Sequence, residues 1–176
     1  VSLVVFCLVV SINSAFAGSA TISGRFLPIN DVDYDEPTMK FIYTEYVISG
    51  RTHCGPKYDN VNTRYHAYPF TVDTDGVYTF TLSYEVGVGL PIPYLFEGSF
   101  NPADGTPTCI VAFEGAPGVT IDHELKAGTQ YFAVLIDASS DQRGTTYELT
   151  ISGDGEILFP EPPEPAVLID PCLYPL

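Results

Sequence analysis

Apolar and polar residues alternating at a period of two constrain this chain more than any other feature. Tyr78, Phe80, Leu82 and Tyr84 share one parity while Thr79, Thr81 and Ser83 take the other. Side chains leave an extended strand on alternate faces, so such a segment buries one face and wets the other. Tyr147, Leu149 and Ile151 alternate in the same way with Thr146, Glu148, Thr150 and Ser152. The run Tyr131-Phe132-Ala133-Val134-Leu135-Ile136 is apolar on both parities, and its shortness and aromatic and β-branched content predict a central strand rather than a helix. Further strands are predicted at Thr21–Phe26, Lys40–Ile48, Tyr65–Val72, Tyr94–Glu97, Cys109–Phe113 and Val119–Leu125. Between the strands stand Asp75-Gly76, Asp104-Gly105, Ala127-Gly128, Arg143-Gly144 and Asp154-Gly155, turn dipeptides at the spacing of an antiparallel sandwich. No stretch sustains a helical period with caps; a single turn near Asn101–Gly105, opened by Asn-Pro, is the one exception. The predicted fold class is all-β, an antiparallel β-sandwich of about 8–10 strands with almost no helix.

At 176 residues the chain suits one domain with flanking segments. Seven Lys and Arg against 22 Asp and Glu give a net charge of −15, which repels phosphate backbones and anionic headgroups, so nucleic acid and membrane surfaces are disfavoured as partners. The first ten residues are apolar except Ser2, and polar residues then lead to Ala15-Phe16-Ala17. That is the pattern of a signal-peptide core and its A-x-A cleavage site, and the apolar run is too short to span about 30 Å of hydrocarbon as a helix. Residues 1–17 are therefore expected to be a signal peptide, with the mature chain starting at Gly18. No Met or basic flank precedes Val1, which predicts a few further residues ahead of it; a retained anchor or a hydrophobic polymerisation segment is the alternative. The sandwich domain is placed at residues 18–159. From Pro160 onward six of the fifteen prolines crowd into the last segment, so residues 160–176 read as an extended linker or tail.

Export would place the cysteines where disulfides persist. Cys54 and Cys109 fall within the globular region, each beside turn residues (Gly55-Pro56 and Pro107-Thr108), and pairing them is the most economical choice, worth about 4 kcal/mol in the chain-entropy model. Cys172 is then unpaired, which points to an intermolecular bridge, a free thiol or a partner beyond the chain. Cys7 lacks the small residues that precede a lipidated cysteine, and no spacing matches a zinc ribbon or a CxxC redox motif.

The stretches Tyr65–Phe80, Tyr94–Pro102, Leu125–Tyr131 and Gly144–Gly153 carry the order FTV…DGVYTF, LFEGSFNP, LKAGTQY and GTTYELTISG. In that order they resemble the bacterial pre-peptidase C-terminal type of domain, over about residues 60–157. The resemblance implies a jelly-roll β-sandwich, non-catalytic, secreted or held at the bacterial cell surface, and accompanying exported enzymes or adhesins. The related collagen-binding domains of secreted collagenases bind calcium through acidic residues near the start of the sandwich. Many relatives carry an acidic pair after the strand matching Cys109–Phe113, whereas Glu114-Gly115-Ala116-Pro117 stands there in this chain.

Asp31, Asp33, Asp35 and Glu36 place carboxylates close together, and calcium takes six to eight oxygens, often from one irregular loop. In an extended segment the three aspartates point to one side and repel one another unless a cation joins them. The segment lacks the glycine and terminal Glu of an EF-hand loop, so a solvated acidic loop is the plain alternative to a calcium site. Asp73, Asp75, Asp137 and Asp141 suit turn positions. His53, His66 and His123 occupy no nucleophile-elbow, H-E-x-x-H or phosphate-loop context; His66 sits among tyrosines, and His123 falls between acidic residues on an expected surface strand. The chain has 12 Tyr and 11 Phe but no Trp and one Met, so most aromatics are needed to fill the core. Two classes of function follow: a non-catalytic secreted accessory or adhesion module that binds an extracellular polymer or cell-surface protein, with calcium as its one candidate cofactor, or a self-associating structural subunit of an extracellular assembly or filament.

Overall fold

The computed structural model describes residues 18–26, 38–46, 52–85, 89–103, 106–112, 117–138 and 145–160. Among them ten strands occur: β1 (Gly18–Phe26), β2 (Thr38–Tyr46), β3 (Thr52–Val72), β4 (Gly76–Tyr84), β5 (Pro91–Glu97), β6 (Cys109–Ala112), β7 (Val119–Leu125), β8 (Tyr131–Asp137), β9 (Thr145–Gly153) and β10 (Ile157–Leu158). A short 3-10 turn spans Thr106–Thr108. Just before it, the Asn101 side chain accepts a hydrogen bond from the Ala103 backbone N–H at 3.0 Å, so the turn expected from Asn-Pro is an Asn-capped bend followed by the 3-10 turn.

The strands form an all-β sandwich of two antiparallel sheets. The first sheet has the order β1-β9-β4-β7. In the second, β3 pairs with β8, β8 with β5, β5 with β6, and β6 returns to β3 at Thr52 opposite Ala112. This closure is possible because β3 is 21 residues long. Its C-terminal half lies beside β8 and β10, while its N-terminal half, paired with β2, swings back to β6.

Two apolar cores result, one on each side of the second sheet. The first lies between the sheets and includes Ile22, Phe26, Phe70, Phe80, Leu82, Leu149 and Ile151. The second holds Ile92, Tyr94, Phe96, Ala112, Val134 and Ile136, with Cys54, Tyr65 and Cys109 packed against it. Strand β8 serves both: Tyr131, Ala133 and Leu135 enter the first core, and Val134 and Ile136 the second. That is the physical reason for its unbroken apolar run, which marks a strand buried on both faces.

Cys54 and Cys109 are joined by a disulfide, with Cα atoms 6.0 Å apart, inside the usual range for such a bond. One local expectation fails. Gly55-Pro56 reads as a turn beside Cys54, yet both residues lie inside β3. Between Ile42↔Lys57 and Thr44↔Cys54 the register slips by one, with the extra residue on β3. A bulge tolerates a Gly and a Pro that lacks a ladder N–H, so the dipeptide bends the strand instead of ending it. The short β10 also went unforeseen, since Ile157-Leu158 is too brief to show a period.

Candidate functional site

Two places in the fold concentrate polar side chains. The first is buried between the sheets, where Phe26 of β1, Arg64, His66 and Tyr68 of β3, Asp137 of β8 and Tyr147 of β9 come together. The Arg64 guanidinium donates to the Asp137 carboxylate at 2.5 Å, and the Asp137 side chain is fully buried. A buried carboxylate is tolerable only when its charge is matched, and Arg64 supplies the match while lying over the Phe26 ring at 5.8 Å. Thr63 donates its hydroxyl to the Asp137 carbonyl at 2.7 Å.

Beside that pair, Tyr147 links the two sheets. Its hydroxyl shares hydrogen bonds of 2.5 Å with His66 Nδ1 and 2.7 Å with the Tyr68 hydroxyl, and His66 stacks on Phe26 with ring centroids 4.5 Å apart. The sequence makes room for it at Gly24, where any Cβ would overlap the Tyr147 hydroxyl. Each of these groups is engaged within the fold, so the cluster's chemical capacity is to bridge the sheets at one end of the sandwich.

The second place is the outer face of the first sheet. Ser19, Ser152, Thr79 and Asp122 stand opposite one another across the four strands, and so do Thr21, Thr150, Thr81 and Thr120. Ser23, Glu148 and Ser83 make a third row, and Arg25 faces Thr146. Neighbouring rungs lie about 4.8 Å apart across the sheet, so the face is a grid of hydroxyls with carboxylates set into it. Thr21 and Thr150 hydroxyls meet at 3.1 Å, and Thr79 donates to Asp122 at 2.7 Å. Where the small Ser23 and Ser83 flank Glu148, the surface dips into a depression of about 430 Å³, bordered also by Gly24, Tyr84, Glu85, Thr146 and Tyr147. Short hydroxyl side chains beside a long carboxylate make a concavity suited to hydrogen-bonding a hydroxylated ligand.

The carboxylates of the N-terminal segment, Asp31, Asp33, Asp35 and Glu36, lie outside the described residues, as do Cys7, Cys172, Asp141 and Glu114. Among the described residues no three His, Cys, Asp or Glu side chains gather as a metal-binding group. Asp73 and Asp75 are turn residues: Asp73 accepts the Glu156 N–H and Asp75 the Ala127 N–H, each at 2.7 Å. Asp137 closes β8 and is buried against Arg64 instead of standing in a turn. His123 lies on β7, an edge strand whose Thr120, Asp122 and Glu124 are exposed; it shares its parity with the buried Ile121 and Leu125, so it faces inward and is half-buried. The backbone of His53 pairs with Glu45 in the β2–β3 ladder. No family model matches the chain, and no curated protein matches it.

The polar parity of β4 and β9 was readable as solvent-facing, but the alignment of their hydroxyls into rows depends on register between strands distant in sequence. The Tyr147 bridge had no sequence signal beyond the parity of its strand.

At the opposite end of the sandwich, burial pushes the Tyr78 phenol above its ordinary value, and the nearby Asp73, Asp154 and Asp75 carboxylates push the same way, against a lowering backbone bond at Gly155. The hydroxyl donates to the Thr74 carbonyl at 2.9 Å. A phenol whose pKa is higher folded than unfolded holds its proton longer in the native state. Its contribution is therefore complete below the unfolded value of about 10 and is lost as pH rises through the folded value. Denaturant unfolding followed as pH rises from below to above about 10 should show stability falling with pH, with a shallower fall in Tyr78→Phe; equal slopes would contradict the assignment.

Proposed function

We propose that this chain is a non-catalytic, secreted binding module whose outer sheet face docks an extended, hydroxyl-rich extracellular polymer. The observation that carries this reading is the row structure of the β1-β9-β4-β7 face, with its depression at Ser23, Ser83, Thr146 and Glu148. A flat hydroxyl grid matches a polysaccharide in chemistry, since each hydroxyl both donates and accepts, and carboxylates such as Glu148 accept paired bonds from vicinal diols. The strand order supports a jelly roll: leaving aside β2 and β10, the sheets read β1-β9-β4-β7 and β3-β8-β5-β6, as two Greek keys wrapped across two sheets give. That topology is consistent with the resemblance to pre-peptidase C-terminal domains, which implies an accessory part in exported proteins.

Calcium enters this proposal through Asp31, Asp33, Asp35 and Glu36, on the strength of their spacing alone. A thermal midpoint raised by calcium but not by magnesium, and no longer raised in an Asp33→Asn, Asp35→Asn variant, is the expected result, because an ion bound only by the native state stabilises it by mass action. An equal response to both ions, or one that survives in the variant, removes calcium from the account.

The binding reading is tested by electrophoresis through gels containing soluble neutral polysaccharides. The protein should be retarded by at least one of them, and a Thr81→Val, Thr150→Val variant should run unretarded with its melting temperature preserved, because valine keeps the strand preference while deleting the hydroxyl. Unchanged retardation in the variant, or none in the parent protein across neutral glucans, mannans and galactans, contradicts it.

A further inference from the structure

Where β3 returns to β6 at the edge of the second core, two links stand as a seam among the described residues. Among the described residues, the β3–β6 ladder consists of Thr52 opposite Ala112, and the neighbouring Cys54–Cys109 disulfide crosses the same boundary. The arm made of β2 and the N-terminal half of β3 leans on this seam. Its base is fixed elsewhere, by Thr63 on the Asp137 carbonyl and Arg64 on the Asp137 carboxylate. The first core takes its share of β3 from Tyr68, Phe70 and Val72, beyond that base.

We infer that the Cys54–Cys109 bond is a redox-sensitive latch: its reduction lets the β2–β3 arm swing on the Thr63–Arg64 pivot and uncovers the second core, while the sandwich around the first core stays folded. Three observations carry this inference. The two cores are separate clusters on opposite faces of the second sheet. The disulfide sits at the seam and not at the pivot. Cys54 of the arm packs against the apolar cluster of Ile92, Tyr94, Phe96, Val134 and Ile136, so opening the arm there exposes hydrophobic surface. Segments that open below the global unfolding energy are cooperative units joined to the rest by few contacts, and among the described residues the arm meets β6 through the Thr52–Ala112 rung and the Cys54–Cys109 bond.

The chemistry is thiol–disulfide exchange with a dithiol reductant. One thiolate of the reductant attacks a sulfur of the pair and the other cysteine leaves as a thiolate that takes a proton. The reductant's second thiol then displaces the remaining protein sulfur, leaving a cyclic disulfide on the reductant and two thiols on Cys54 and Cys109. Two electrons and two protons pass to the protein.

The test is hydrogen exchange read by mass spectrometry on the full chain, oxidised and after dithiothreitol, with alkylation confirming that Cys54 and Cys109 have become thiols. A Cys54→Ser, Cys109→Ser variant is followed without reductant. Losing the disulfide weakens the whole native state to some degree, so the informative quantity is the difference between regions. Amides of β2, of the N-terminal half of β3 and of β6 should lose at least about tenfold more protection than those of β4 and β9, as a separately opening unit requires. Equal losses throughout, an arm that keeps its protection, or a reduced protein that unfolds altogether would each overturn the latch.

Discussion

The structure depends on a layer of strands that has no solvent face. Strand β8 and its neighbour β5 have apolar cores on both sides, and Val134, Leu135 and Ile136 are fully buried although their side chains leave the strand in opposite directions. Burying a large aliphatic side chain is worth about 1.5–3 kcal/mol, and alternate residues of one strand draw that gain from different cores. The second sheet therefore carries an apolar core on each face, and β3 closes it by returning to β6. The arm made of β2 and the N-terminal half of β3 is joined to β6 by the disulfide and, at its base, to Asp137 at the very end of β8.

That position explains a buried charge in a chain otherwise well supplied with apolar residues. Asp137 follows Ile136 directly, so it stands where both cores end, and it carries the pairing partner of Arg64 as well as the carbonyl that Thr63 bonds. Replacing one member of such a pair leaves an isolated charge, a cost of about 3–5 kcal/mol, so the site enforces one position for β3 against β8. The adjoining Tyr147 bridge enforces the spacing of the two sheets at the same end. Together they align the first sheet, and with it the rows of hydroxyls on its outer face. The proposed binding surface is thus a consequence of register set from inside.

Much of this fold was legible in the sequence because a period of two is a local signal. The boundaries of β7 follow directly from Val119, Ile121 and Leu125 alternating with Thr120, Asp122 and Glu124, and β8 announced its central place by being apolar on both parities. What stayed hidden was long-range. The N-terminal half of β3, with Lys57, Asp59, Asn60 and Asn62, has too polar a composition to read as a strand, and Gly55-Pro56 reads as a turn; only pairing with β2 makes it one. The return of β3 to β6 joins positions 52 and 112, a contact with no local trace. The candidate site divides in the same way. Thr79, Thr81, Glu148 and Thr150 were recognisable as outward-facing, but their alignment into rows needed the register, while Arg64, Asp137 and Tyr147 gave no sign of meeting. The pairing of Cys54 with Cys109 was the one distant contact that simple economy could supply.

The central claim is that β8 is buried on both faces, and equilibrium unfolding of two neighbouring substitutions tests it most directly. Val134→Ala opens space in the second core and Leu135→Ala in the first. Each should lower the unfolding free energy, by about 1–3 kcal/mol for the smaller valine and about 2–5 kcal/mol for leucine, whereas Glu148→Ala on the solvent face of β9 should stay within about 0.5 kcal/mol of the parent. A strand with one wet face would instead show a large loss at Leu135 and almost none at Val134, and that result would contradict a β8 buried on both faces.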